Sequence, residues 1–138
     1  LRRTPLSTPI MASAAAVVYK REVLEQGALT GKYNIEKPFP KGSNRAEAYN
    51  YSLKELEILI NELKSIGIKY NASPAQIATA WAIFKGTVPI IGVTKINHVE
   101  EAYQAANIIL TEKEINTLQI LADKTGVSTL REWEKEMI

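Results

Sequence analysis

The sequence predicts an α/β protein, helix-rich with few strands, on three observations. Four times a side-chain oxygen is followed three residues later by Glu or Gln, or by a similar reciprocal partner, the spacing that caps a helix start. Between the second and third of these starts lies "TVPIIGV", residues 87–93, a short continuous apolar run bounded by glycines that reads as a strand buried on both faces. Only one other strand candidate, "AAAVVY" at 14–19, is present. Helix, strand, helix is half of an α/β repeat. A closed eight-stranded barrel needs about 250 residues, so a chain of 138 cannot form one by itself.

Taken in order, Ser52 with Glu55 opens the first helix, whose apolar residues Leu53, Leu56, Ile60 and Leu63 share one face and which ends near Tyr70. Ser73 with Gln76 opens the second, with Pro74 at the first helical position where its missing amide costs nothing. Its buried face is Ile77, Trp81 and Phe84. Asn97 with Glu100 opens a third that runs to about Ala106. Thr111 with Glu114 opens a fourth carrying Ile115, Leu118 and Leu121, and Gly126 is set to terminate it.

Composition narrows the chemistry. With 46% apolar residues the chain can bury one core, and a single domain is the default for its size. No apolar run approaches the roughly 20 residues that cross a bilayer, so no membrane is expected as a partner and a cytoplasmic location is. The absence of cysteine excludes disulfides and thiolate catalysis, and a single histidine disfavours a zinc site. A formal charge of +2 lacks the basic stripe of a nucleic-acid binder. Residues 1–22 are set apart from the rest: the first twenty-one, "LRRTPLSTPIMASAAAVVYKR", hold no acid. It reads as an organelle-targeting segment, an irregular leader, or a remnant strand behind a disordered end.

In α/β folds ligands sit beyond the carboxyl ends of parallel strands, where the next helix offers backbone amides and partial positive charge to an anion. "GVTK" before "NHVEEA" meets both conditions. Gly92 permits close approach to the backbone, Thr94 offers a hydroxyl, and Lys95 is a mobile cation suited to a terminal phosphate. The plainer alternative makes Gly92 a tight turn and Lys95 a solvated loop residue.

Together "GALTGKY", "SPAQIATAWAIFKGTVPIIGVTK" and "LTEKEINTLQILAD" resemble the C-terminal half of an aldo-keto reductase, from Val23 to the end. The resemblance implies the carboxyl part of a (β/α)8 TIM barrel over residues 23–138, and reduction of carbonyls by hydride transfer from NADPH, with NADP as cofactor. It implies that Leu24, Gln26, Gly27 and Leu29 fold over the cofactor pyrophosphate with Lys32 close by. Gly92, Val93, Thr94 and Lys95 match the loop that grips the adenosine phosphate, and Glu101 matches a carboxylate that contacts adenine. His98 falls where many members have arginine or glutamine, and is either a phosphate or adenine contact or an exposed helix residue. Arg45 lies in a segment similar to the family's mobile loop, and Trp133 in a tail that can lean toward the substrate mouth. For "LTGKY" the alternative is a loop-closing turn that needs Gly31.

The family's catalytic aspartate, tyrosine, lysine and histidine come from the first half of the barrel, and none of the six tyrosines here lies in a similar setting. Tyr33 and Tyr103 read as packing residues. Three readings follow: the cofactor-binding part of an NADP-dependent reductase, inactive alone; a non-catalytic nucleotide-binding half-barrel that self-associates or pairs with a missing N-terminal half; and a helical interaction domain.

Overall fold

The computed structural model describes residues 25–89 and 91–127, so the leader, Leu24, the strand candidate at 14–19 and the tail with Trp133 lie outside the described residues. A 3-10 helix Glu25–Thr30 is followed by α1 (Asn44–Tyr49), α2 (Leu53–Tyr70), α3 (Pro74–Phe84), α4 (Ile96–Ala106) and α5 (Glu112–Lys124).

The long helix α2 organises the rest. Its expected stripe Leu53, Leu56, Ile60 and Leu63 is buried, and Leu59 and Ile66 widen it. Each such side chain contributes about 1.5–3 kcal/mol on leaving water. The carboxyl half of the stripe meets Ile77, Ala78 and Ala80 of α3, and Ile115 and Leu118 of α5. The amino half meets Ala28, Phe39 and Tyr49, where Tyr33 stacks on Phe39 at 4.0 Å between centroids. Asn50 pins this loop as a neighbouring strand would: it accepts from the Phe39 N–H (3.1 Å) and donates to the Phe39 carbonyl (3.2 Å). Arg45 is exposed on α1, a helix capped by the Ser43 hydroxyl.

At Asn71 the backbone turns left-handed (φ 51°), and the Ala72 N–H donates to the Gly67 carbonyl at 2.9 Å. A Cβ on Gly67 would collide with the Ala72 carbonyl oxygen, so this close turn needs glycine. Helix α5 lies antiparallel to α2, fixed at both ends. Ser52 donates to the Thr125 carbonyl (2.7 Å) at one end, and Lys69 pairs with Glu114 (2.8 Å) at the other.

Two capping boxes form as expected, at Ser73 with Gln76 and at Thr111 with Glu114, and Gly126 takes a positive φ of 63° after α5. The Ser52 box does not form, because the Ser52 hydroxyl is buried and committed to Thr125. Phe84, expected in the core, is 55% exposed in the last turn of α3, while Ile77 is fully buried. The expected strand at 87–93 is also absent among the described residues, which carry no strand at all. Strand geometry is sustained by a neighbour's ladder of hydrogen bonds, and among the described residues no second strand lies beside this run. Val88 is accordingly 71% exposed.

Lys69, Tyr70 and Glu114 clamp the end of α2 to the start of α5. Burial of the Glu114 carboxyl works to raise its pKa, yet hydrogen bonds from Lys69, the Thr111 backbone and Tyr70 outweigh it and hold it at about 2, below the ordinary 4.5. A depressed carboxylate stabilises the fold fully above its unfolded pKa, and that contribution is lost as pH falls toward the folded value. Urea unfolding should therefore show the advantage of the wild type over Glu114→Gln shrinking between about pH 5 and 2. A difference that stays constant across that window would mean the carboxylate charge contributes nothing.

Candidate functional site

The loop Gly92–Lys95 leads into α4. Lys95 is the N-cap, with extended backbone (φ −139°, ψ 153°) and an exposed side chain that makes no cap hydrogen bond. The cap thus lies two residues before the expected one at Asn97, which falls inside the first turn. The reason lies in His98: its half-buried ring accepts the Thr94 N–H at Nδ1 (3.4 Å), and the His98 backbone N–H donates to the Lys95 carbonyl (3.1 Å). His98 therefore ties down the loop and is neither free nor fully exposed.

Gly92 is exposed, its φ lies outside the positive range that requires glycine, and a Cβ there would meet nothing within 4 Å. The backbone does not explain its identity. Val93 is 48% exposed and Thr94 is exposed. Glu101 turns its side chain to solvent, and its backbone carbonyl accepts from Gln76 Nε2 (3.1 Å).

The second cluster of site residues follows the 3-10 helix. Gly27 has φ 95°, and its carbonyl accepts the Thr30 hydroxyl at 2.6 Å. Gln26 lies within the helix, and Leu29 packs against both apolar clusters, so its side chain serves the core. Gly31 closes the turn at φ 75°, with Ile60 and Lys64 3.3 and 3.4 Å from where its Cβ would sit, and Lys32 is exposed just beyond. The 3-10 helix packs on α2 and α3. Among the described residues no hydrogen bond joins this cluster to the Gly92–Lys95 loop.

Sequence spacing gave Gln76 only its capping role. It is 6% exposed, and while its Oε1 accepts the Ser73 N–H, its Nε2 also donates to Gln104 Oε1 (3.0 Å). The first turn of α3 is thereby tied to the last turn of α4. An open depression of about 580 Å³ between Tyr70, Gln76, Gln104 and Asn107 adjoins this contact, and none of the expected cofactor residues lines it. No group of acidic or histidine side chains among the described residues could hold a metal ion, and no described helix is long and apolar enough to cross a membrane.

Comparison with known proteins decides the ancestry. The profile of the aldo/keto reductase family matches residues 10–123, more than half of the chain. The chain belongs to the aldo-keto reductase family. It is 33% identical over 109 residues to the aldo-keto reductase str7 of Strobilurus tenacellus, covering 75% of this chain and 32% of that one. Against the chloroplastic pyridoxal reductase of Arabidopsis thaliana it is 36% identical over 105 residues, 76% of this chain and 28% of the relative. Against the Schizosaccharomyces pombe aldo-keto reductase yakc, whose name carries NADP(+), identity is 29% over 110 residues, 75% of this chain and 32% of the relative. The chain spans about a third of the length of these relatives. No solved structure matches it. Aldo-keto reductases are oxidoreductases with a (β/α)8 barrel and nicotinamide nucleotide cofactors.

Gly27 and Gly92 should respond differently to alanine. Gly27→Ala forces a side chain into a left-handed backbone and should cost about 1–2 kcal/mol. Gly92→Ala should leave stability within about 0.5 kcal/mol of wild type. Thermal unfolding of both variants checks this, and a large loss at Gly92 would show that the fold itself needs that glycine.

Proposed function

We propose that the chain supplies the cofactor-binding part of an NADP-dependent aldo-keto reductase, and that the Gly92–Lys95 loop seats the adenosine 2′-phosphate. The observation that carries this reading is Gly92, a glycine in open space that the backbone does not require, three residues from an exposed lysine at the start of an eleven-residue helix. A missing side chain lets a phosphate approach the backbone amides, and the helix amino end adds partial positive charge. The name of the yakc relative points to the same cofactor. In the whole enzyme NADPH supplies the hydride that reduces a carbonyl.

Within this scheme the residues of the chain bind and orient. The Lys95 ammonium pairs with the phosphate, the Thr94 hydroxyl offers a further hydrogen bond, and His98 holds the loop by keeping the Thr94 amide. Lys32 and the Gly27 backbone serve the pyrophosphate, with Gln26 and Leu24, and Val93 and Glu101 line the adenosine end. None of the chain's tyrosines sits in a setting like the family's proton donor, so the chain by itself is inactive and carbonyl reduction requires the remaining barrel.

A charge-assisted contact of this kind is worth roughly 1.5–3 kcal/mol, so Lys95→Ala should weaken NADP binding about tenfold to a hundredfold. NAD lacks the 2′-phosphate and should lose far less. Titration of wild type and variant with both nucleotides, in this chain and in one completed by the remaining barrel, tests the reading. Equal losses for NADP and NAD would assign Lys95 to loop support.

A further inference from the structure

The loop that follows Lys32 is tied down at its start, its middle and its end. It leaves Gly31, which packs against Ile60 and Lys64 of α2, and runs through "YNIEKPFPKGS", residues 33–43, to the cap of α1. Near its start the Asn34 N–H donates to the Lys37 carbonyl (3.1 Å), and the Asn34 side chain accepts the Lys37 N–H in return (2.7 Å). Near its end the Ser43 N–H and hydroxyl both donate to the Pro40 carbonyl (3.2 and 2.7 Å). Between these two turns Pro38 and Pro40 fix the backbone on either side of Phe39, which is 1% exposed.

The middle of the loop is held from outside. Asn50 engages both backbone groups of Phe39, and the Phe39 ring meets Tyr33 and, at 5.5 Å between centroids, Tyr49. A lid opens by exchanging one set of contacts for another. Opening here would draw Phe39 out of its cluster and leave its N–H and C=O without the Asn50 amide. Lys32 lies between two anchored neighbours, Gly31 and Tyr33, yet is itself exposed and has no ion-pair partner among the described residues. The loop thus presents a cation from a backbone that is already fixed.

We propose that Asn50 is a positioning residue for the cofactor: by gripping Phe39 it makes residues 33–43 a fixed wall, and that wall holds Lys32 where the pyrophosphate binds. The proposal rests on the assignment of Lys32 to the pyrophosphate made above. In this role Asn50 acts through Lys32. Because the wall stands before the ligand arrives, little of the binding free energy goes into ordering the loop. Two consequences separate Asn50 from Lys95. The pyrophosphate is common to NADP and NAD, so loss of Asn50 weakens both alike, whereas Lys95 reads the phosphate that only NADP carries. The effect of Asn50 also disappears once the Lys32 ammonium is gone.

The test uses the full 138-residue chain as wild type, Asn50→Ala, Lys32→Met and the double variant, each titrated with NADP and with NAD. Lys32→Met should weaken both nucleotides about tenfold, and Asn50→Ala both by about threefold to tenfold. The double variant should bind no more weakly than Lys32→Met, the non-additivity expected of residues that act as one unit. Without nucleotide, the Phe39 amide should exchange at least about tenfold faster in Asn50→Ala than in wild type, with the helical signal unchanged. Asn50→Asp, which keeps an acceptor for the Phe39 N–H and loses the donor to its carbonyl, replaces the alanine variant if that one does not fold. Additive losses in the double variant would give Asn50 a merely structural role and overturn the proposal. So would wild-type affinity in a folded Asn50 variant, or a Phe39 amide that stays unprotected in the wild type until nucleotide is added, as in a lid. Failure of the wild type to bind either nucleotide would sink the cofactor reading itself, and the proposal with it.

Discussion

The apolar stripe along α2 is the constraint on which the described structure depends. Leu59, Leu63 and Ile66 close the α3 and α5 cluster, while Leu53 and Leu56 close the cluster around Phe39 and Tyr49. One helix thereby holds together segments that are distant in sequence, and polar contacts at its two ends set their register. Ser52 reaches Thr125 across 73 residues, and Lys69 and Tyr70 reach Glu114. Loss of the stripe would leave neither α3 nor α5 with a surface to bury.

Against that core the segment that bears the candidate nucleotide loop is loosely invested. Helix α4 contributes only Ala105 to the buried set, and the run before it has no ladder among the described residues. The physical reason is a mismatch between two kinds of stability. Helices satisfy their own backbone and need only an apolar face to cover, so three of them can settle within this chain. A parallel strand borrows its hydrogen bonds from neighbours, and nothing within the described residues lends them.

Much of this was legible in the residues. The boxes at Ser73 and Thr111 form because each needs only neighbours three residues away, and the α2 stripe is buried because its period is intrinsic. Ser52 failed as a cap because a carbonyl 73 residues distant competes for its hydroxyl, which no local pattern announces. Asn97 failed because a histidine ring one position later captured the Thr94 amide and moved the helix start. The strand at 87–93 carried the correct composition for the family's barrel and the wrong surroundings for a ladder. For the candidate site, the sequence singles out Gly92 and Lys95 as an expectation, and the structure adds that the backbone leaves the glycine unexplained.

The central claim is that α2, α3 and α5 form a cooperative core while the Gly92–Lys95 loop and its strand-like approach stay outside it. Amide hydrogen exchange of the chain alone measures this directly. The account predicts that amides of Leu63, Ile66, Ile77 and Leu118 exchange together and slowest, at rates that track global unfolding in urea. Amides of Val88 and Val93 should exchange orders of magnitude faster and without sensitivity to urea. Protection of Val88 and Val93 equal to that of Ile66 would contradict it, since the run would then already belong to the core.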